Sequence, residues 1–128
     1  MRNTFKKGER LKSRKLIEHL FVDGKEFKSF PIRLVYLQID HDSDFLVQAG
    51  FSVPKRQFKK AVDRNRIKRL MREAYRLQKN TLPKLQDKIY TKKHVFMFIY
   101  MTDTVVSYKD VEERIRKLLE RFNRSIIQ

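Results

Sequence analysis

The stretch PKRQFKKAVDRNRIKRLMREAYR, Pro54 to Arg76, sets ten lysines and arginines against two acids, Asp63 and Glu73. Through it runs an apolar row, Val62, Ile67, Leu70, Met71 and Ala74, at the three- and four-residue spacing of a helix packed on a core. The pattern predicts a helix from Ala61 to Lys79, beginning after Pro54 ends a strand and halting before Pro83. Along it Arg64, Lys68, Arg72 and Arg76 stack as an i, i+4 row, with Arg66 and Arg69 flanking the apolar stripe. Like charges at that spacing cost about 0.2–0.5 kcal/mol per pair. Each large apolar side chain buried contributes about 1–3 kcal/mol, so packing wins and the helix forms. Its open face is then a ladder of cations about 6 Å apart, near the phosphate spacing of a nucleic acid strand. A segment that folds and stays this cationic expects a polyanion.

The charge elsewhere supports that reading. The 128 residues carry a net +16, of which residues 53–79 hold +9, residues 1–28 hold +5, residues 80–128 hold +4 and residues 29–52 hold −2. A surface made only for solubility would spread its charge and favour lysine, whereas arginines at 64, 66, 69, 72 and 76 supply forked donors suited to phosphate and base edges. Asn65 adds an amide that both donates and accepts.

Length predicts one domain over residues 1–128, and 41% apolar content suffices for one core. The chain has no cysteine, which excludes disulfides, thiolate metal sites and cysteine nucleophiles. No apolar run approaches the length of a membrane span, and the basic start lacks the apolar core of a secretory signal. A soluble cytoplasmic protein is expected.

Outside the basic helix, residues 1–12 read as a basic, loosely held arm. Ser13 is placed to cap a short helix with a stripe of Leu16, Ile17, Leu20 and Phe21, ending at Gly24. Phe27 to Ile39 alternates as a strand, with 32, 34 and 36 on one side and 33, 35 and 37 on the other. The polar turn Asp40–Asp44 leads to a second strand, Phe45 to Val53, and the short link suggests an antiparallel hairpin. A polar connection from Asn80 to Lys93 precedes His94–Met101, apolar on both faces and read as a central strand. Ser107 and Asp110 form a capping box for a last helix whose stripe is Val111, Ile115, Leu118, Leu119 and Phe122. The expected fold class is α+β, a compact sandwich of helices packed on a small mixed sheet.

The string Arg64-Asn65-Arg66-Ile67-Lys68-Arg69-Leu70-Met71-Arg72-Glu73-Ala74-Tyr75-Arg76 resembles the signature of the bacterial ribonuclease P protein subunit. Gly50-Phe51-Ser52-Val53-Pro54-Lys55-Arg56 resembles the strand leading into it, and Arg10-Leu11-Lys12 and Leu20-Phe21-Val22-Asp23-Gly24 fit as well. The resemblance implies a protein that joins a catalytic RNA subunit to remove the 5′ leader of precursor tRNA, leaving a 5′ phosphate. It implies that the RNA uses the Mg²⁺ and that no protein side chain is catalytic. It also implies the order αβββαβα with a left-handed crossover, against the right-handed default.

By position, the resemblance assigns Lys55, Arg56, Arg64, Asn65, Arg66, Lys68, Arg69, Arg72 and Arg76 to docking of the catalytic RNA. It assigns Arg14, Ile17, Phe21 and a sheet aromatic to a leader cleft between the first helix and the sheet. Tyr36 is the candidate for that aromatic, with Val35 competing. Ile17 stands where relatives carry a second aromatic. Gln57-Phe58-Lys59-Lys60 replaces a shorter, glycine-containing link.

Blander readings compete. Phe21 on an amphipathic helix and Tyr36 on an alternating strand are more often core. His41 with Asp42 and Asp44 lies in a turn that needs polar residues anyway. His19 and His94 have no ligand or acid partner at a useful spacing. Charge alone would equally suit a generic basic RNA-binding module such as a ribosomal-type protein. A self-sufficient nuclease would need an acid–base or metal constellation, and none can be picked out. No obligate protein partner is evident.

Overall fold

The computed structural model describes residues 5–79 and 92–127. A 3-10 turn (Lys7–Glu9) is followed by α1 (Arg14–Asp23), β1 (Lys25–Ser29), β2 (Ile32–Gln38), β3 (Val47–Ser52), α2 (Ala61–Gln78), β4 (His94–Tyr100) and α3 (Tyr108–Ile127). The strands form one sheet in the order β1-β2-β4-β3, with β3 parallel to β4 and the other two pairs antiparallel. This is the expected α+β class.

Burial sorts the sheet's two faces. On one, Ile32, Leu34, Val47, Ala49, Phe96, Phe98 and Tyr100 pack against Ile67, Met71, Ala74 and Tyr75 of α2 and Val111, Ile115, Leu118, Leu119 and Phe122 of α3. The stripe expected of the last helix is therefore buried in full. The Phe122 ring stands edge-on to Phe96 at 4.7 Å and to Tyr36 at 5.4 Å, aromatic contacts that add to burial. On the other face Leu20 of α1 and Leu11 pack over Val35, Val95, Met97 and Ile99. β4 is buried along its whole length, as its two apolar faces require.

Three expectations need correction. Phe27 to Ile39 is not one strand: the chain reverses at Phe30-Pro31, and β1 pairs with β2 from Lys25↔Tyr36 to Ser29↔Ile32. A two-residue reversal leaves the alternation almost intact, so periodicity alone does not reveal it. The second expected strand does not pair with the first either, because β4 lies between β2 and β3. A strand apolar on both faces gains most from the middle of the sheet, and it displaces the hairpin that the short polar link suggested.

The arm, expected to be loosely held, is packed on the body of the protein over residues 5–12. Phe5 sits edge-on to Phe51 and Tyr75, Leu11 is buried, and Arg10 bridges to Ala49 on the edge strand β3. Glu9 is buried in an ion pair with Lys79 at the end of α2 and accepts a hydrogen bond from the Lys6 backbone N–H at 2.8 Å. Residues 5–12 are thus fixed, since a buried carboxylate with a partner on another element pins both. Residues 1–4, the connection over 80–91 and the helix stop before Pro83 lie outside the described residues.

Local caps follow the sequence closely. The Ser13 hydroxyl accepts from the Leu16 N–H at 3.2 Å, and Ser107 accepts from Asp110 N–H at 3.2 Å, its half of the expected box. Gly24 ends α1 with φ −70 and ψ 152, open to any residue, so it is not the left-handed cap. Its missing Cβ is needed for space: the atom would lie 2.3 Å from the Leu20 carbonyl oxygen.

Candidate nucleic-acid interface

α2 carries its cations on the side away from Ile67, Met71, Ala74 and Tyr75, all buried. Asn65, Arg66, Arg69 and Arg72 are exposed, while Arg64, Lys68 and Arg76 are half-buried. The i, i+4 row is therefore not the outer ridge. At 3.6 residues per turn such a row drifts about 40° each step, or about 120° from Arg64 to Arg76. Arg64 starts near the packed side, and the outward ridge is Asn65, Arg69 and Arg72 with Arg66 beside it. Val62, expected in the apolar row, is 71% exposed one turn before the core begins. Tyr75 takes a core place instead, its hydroxyl pKa pushed up by burial and then by nearby Glu9.

Two of the candidate arginines spend donors inside the protein. Arg64 Nη1 donates to the Phe58 carbonyl at 2.7 Å and the Lys59 carbonyl at 2.8 Å, closing the loop that precedes α2. Arg76 Nε donates to Glu73 at 3.0 Å, and its Nη2 pairs with the same carboxylate. That hydrogen-bonded guanidinium holds the Glu73 carboxyl below its ordinary range. Asp63 in the first turn and Arg76 in the last complement the helix dipole.

Lys55 and Arg56 follow the end of β3 and are exposed. So are Lys59 and Lys60, which the sequence places only in a longer link. The signal for them was present: consecutive lysines beside an aromatic. Phe58 packs into the core near Tyr100, at 6.1 Å, and turns the lysines outward.

On α1, Arg14, Ile17 and Phe21 recur at i, i+3 and i+7 and share one side of the helix. Arg14 is exposed, Ile17 is packed against the sheet and Phe21 is 50% exposed, so Phe21 is not a core residue. Tyr36 does not join them. It lies on the opposite face, stacked on Phe27 at 5.1 Å and edge-on to Phe122 of α3. Period-two alternation puts Val35, its neighbour, on the α1 face, where Val35 is buried with Leu20. Of the two candidates, Val35 is therefore the one on the α1 face and Tyr36 the one on the α3 face.

Histidines contribute structure here. His19 lies 3.1 Å from Asp23, so it does have an acid partner, at the i, i+4 spacing of a helix. His41 is buried, its Nδ1 accepting from the Ser43 N–H at 3.3 Å, while Lys93 binds the carbonyls of His41 and Ser43 at 2.8 and 2.7 Å. His94 is buried against Phe122, and burial pushes its pKa down to about 4. Among the described residues, no group of three or more His, Cys, Asp or Glu is placed to hold a metal ion. No helix of the described residues is long and apolar enough to cross a membrane.

Comparison with known proteins agrees with this geometry. The sequence profile of the Ribonuclease P family matches residues 5–123. A ribonuclease P protein component from Porphyromonas gingivalis is 40% identical over 118 residues, covering 90% of this chain and 83% of its own length. Among solved structures, the RNase P protein from Thermotoga maritima aligns with a TM-score of 0.69 at 23% identity, over 88% of this chain and 96% of its own. The Staphylococcus aureus RNase P protein aligns with a TM-score of 0.67 at 19% identity, over 89% and 94%. Those two likenesses establish a shared fold.

Proposed function

The chain belongs to the ribonuclease P protein family, and on that premise we propose that α2 docks the catalytic RNA while the α1 face of the sheet receives the 5′ leader of precursor tRNA. Membership makes this chain the protein subunit of an endoribonuclease that matures tRNA 5′ ends, with catalysis by the RNA subunit. The division of labour between two surfaces is our reading. One observation carries it: Asn65, Arg66, Arg69 and Arg72 are exposed on a helix whose opposite side is fully buried.

The roles follow from chemistry. Arg66, Arg69 and Arg72 offer planar forks to phosphate oxygens, and Asn65 offers an amide to a base or sugar edge. Lys68 and Arg76 reach the same surface from its flanks, and Lys55 and Arg56 extend it toward β3. On α1, the exposed Phe21 ring is free to stack on an unpaired base, a contact of about 1–3 kcal/mol. Ile17 and Val35 line the apolar floor behind it, and Arg14 supplies a cation for the leader backbone.

Mg²⁺ would supply an activated water and stabilise the leaving oxygen. A hard cation needs several oxygen ligands, and the docking face presents guanidinium and ammonium groups, so the metal fits the RNA's phosphates and not that face. The protein's own work is to bind, to orient the leader and to screen repulsion between two RNAs. That work suits the cytoplasm, where tRNA precursors are made.

Cleavage of precursor tRNA by the cognate catalytic RNA at low Mg²⁺, with and without the chain, tests the reading. The protein should restore cleavage there and favour leader-bearing over mature tRNA. R69A should weaken assembly with the catalytic RNA, and F21A should mainly reduce leader discrimination. Identical defects would dissolve the two-surface division. Specific cleavage by the protein with metal but without RNA would assign the chemistry to the chain.

A further inference from the structure

We propose that Arg64 is a positioning residue, and that the loop it locks presents Lys59 and Lys60 as additional phosphate contacts for the catalytic RNA. The proposal rests on α2 being the docking helix and adds to it a second, sequence-adjacent platform.

Arg64 is the first arginine of the signature, yet its Nη1 faces the protein. It bridges the carbonyls of Phe58 and Lys59 at 2.7 and 2.8 Å. The same loop is fixed at three other points. The Gln57 N–H donates to the Pro54 carbonyl at 3.0 Å, and the Asp63 and Arg64 N–H groups both donate to the Lys60 carbonyl at 3.2 Å. The Phe58 ring is seated in the core beside Tyr100. One terminal nitrogen of the guanidinium gives an N–H to each of two successive carbonyls, and the rigid planar group holds that nitrogen in place, whereas an ammonium on a flexible stem is a freely rotating point donor.

What this scaffold displays is Lys55, Arg56, Lys59 and Lys60, four exposed cations within six residues. None of them has an ion-pair partner among the described residues. Lys60 occupies the N-cap of α2 without a side-chain cap bond, where Ser, Thr, Asp or Asn would ordinarily stand. Cations at a helix N-terminus also oppose the dipole. Local stability thus disfavours these lysines, and an approaching polyanion reverses the sign. The neighbouring exposed ridge of Arg66 and Arg69 gives that polyanion a continuous track along the helix.

The test measures affinity of the full-length protein for the cognate catalytic RNA against salt, for wild type, K59A/K60A, R64A and the triple variant, with R69A as reference. Removing one phosphate-binding cation should reduce the log–log salt slope by about 0.9 on the duplex-DNA scale, so K59A/K60A should lower it by about one to two. R64A should mimic that reduction. In the triple variant the losses should not multiply, adding less than about 2-fold to K59A/K60A, as expected for residues acting through one element. R69A should still impose its full loss in the K59A/K60A background. In the free protein, R64A should speed amide exchange across residues 57–60 with α2 still helical, and R64K should rescue binding only in part.

An unchanged slope and affinity in K59A/K60A would overturn the proposal, and that variant leaves every buried group intact. Multiplying losses in the triple variant would show Arg64 touching RNA itself and would equally overturn it. A loss in R69A with none in K59A/K60A leaves the docking helix standing and removes only the loop, whereas no loss in any variant removes both.

Discussion

Two glycines separate space from flexibility as reasons for lacking a Cβ. In Gly24→Ala the new Cβ would lie 2.3 Å from the Leu20 carbonyl oxygen, 2.9 Å from Val35 Cγ1 and 3.2 Å from Leu20 Cδ1. That carbonyl already accepts the Gly24 N–H at 2.8 Å, and Leu20 is fully buried, so neither neighbour has room to retreat. Overpacking of this kind costs about 1–3 kcal/mol. The backbone dihedrals suit alanine, and the lower entropy of the unfolded chain returns about 0.4–1 kcal/mol. The net expectation is a loss of about 1–2 kcal/mol, with the last turn of α1 lifted from the sheet. In Gly50→Ala the nearest atoms are Met97 Cε at 3.0 Å and Sδ at 3.2 Å, the far end of a flexible side chain. Methionine yields, and alanine in a strand gains about 0.5–1 kcal/mol over glycine, so G50A should be neutral or slightly stabilising. Denaturant midpoints at fixed sulfate, with unchanged m values, measure both. Because α1 carries Phe21, G24A should also blunt discrimination between precursor and mature tRNA while affinity for the catalytic RNA holds. A G24A midpoint at or above wild type, or an equal loss in G50A, would refute this account of the α1 anchor.

Phe122→Ala should cost about 3–5 kcal/mol, since the ring is fully buried against Phe96, Tyr36 and His94; a midpoint shift worth under about 1 kcal/mol would mean that α3 is not locked by it. His94 is held neutral, with a folded pKa of about 4 against an ordinary 6.5. The unfolded chain therefore binds more protons between these values, and His94's contribution is complete above about pH 6.5 and declines as pH falls toward 4. Allowing for residual screening, the decline amounts to about 1–3 kcal/mol, and H94Q should lose it; identical pH profiles for wild type and H94Q would count against it. Sulfate at constant ionic strength should raise the melting temperature by binding the cationic face of the native state alone. Indifference to sulfate would argue that the exposed arginines do not form an anion site.

The helices were legible because their information is local. The stripe Val111, Ile115, Leu118, Leu119, Phe122 is buried residue for residue, Ser13 caps α1, and α2 spans Ala61–Gln78 against an expectation of Ala61 to Lys79. A 3.6-residue period and a hydroxyl at the right step act within one or two turns, so no distant partner is needed to read them. Family membership was legible too, through the Arg64–Arg76 signature.

The sheet was less legible, because strand pairing joins residues far apart in the chain. Alternation told that Val35 and Tyr36 face opposite ways, but which face α1 covers depends on where α1 packs, and that put Val35 with Leu20 and Tyr36 with Phe122. The fixing of the arm depends on a distant partner in the same way. Glu9 reads as one charge among many until Lys79, seventy residues later, meets it in a buried pair. Composition and period by themselves determined that a cationic amphipathic helix forms, with a charge suited to a polyanion. Only the tertiary structure decided which of its arginines stand exposed and which, like Arg64, turn back to hold the chain, because donors go wherever packing leaves carbonyls unsatisfied.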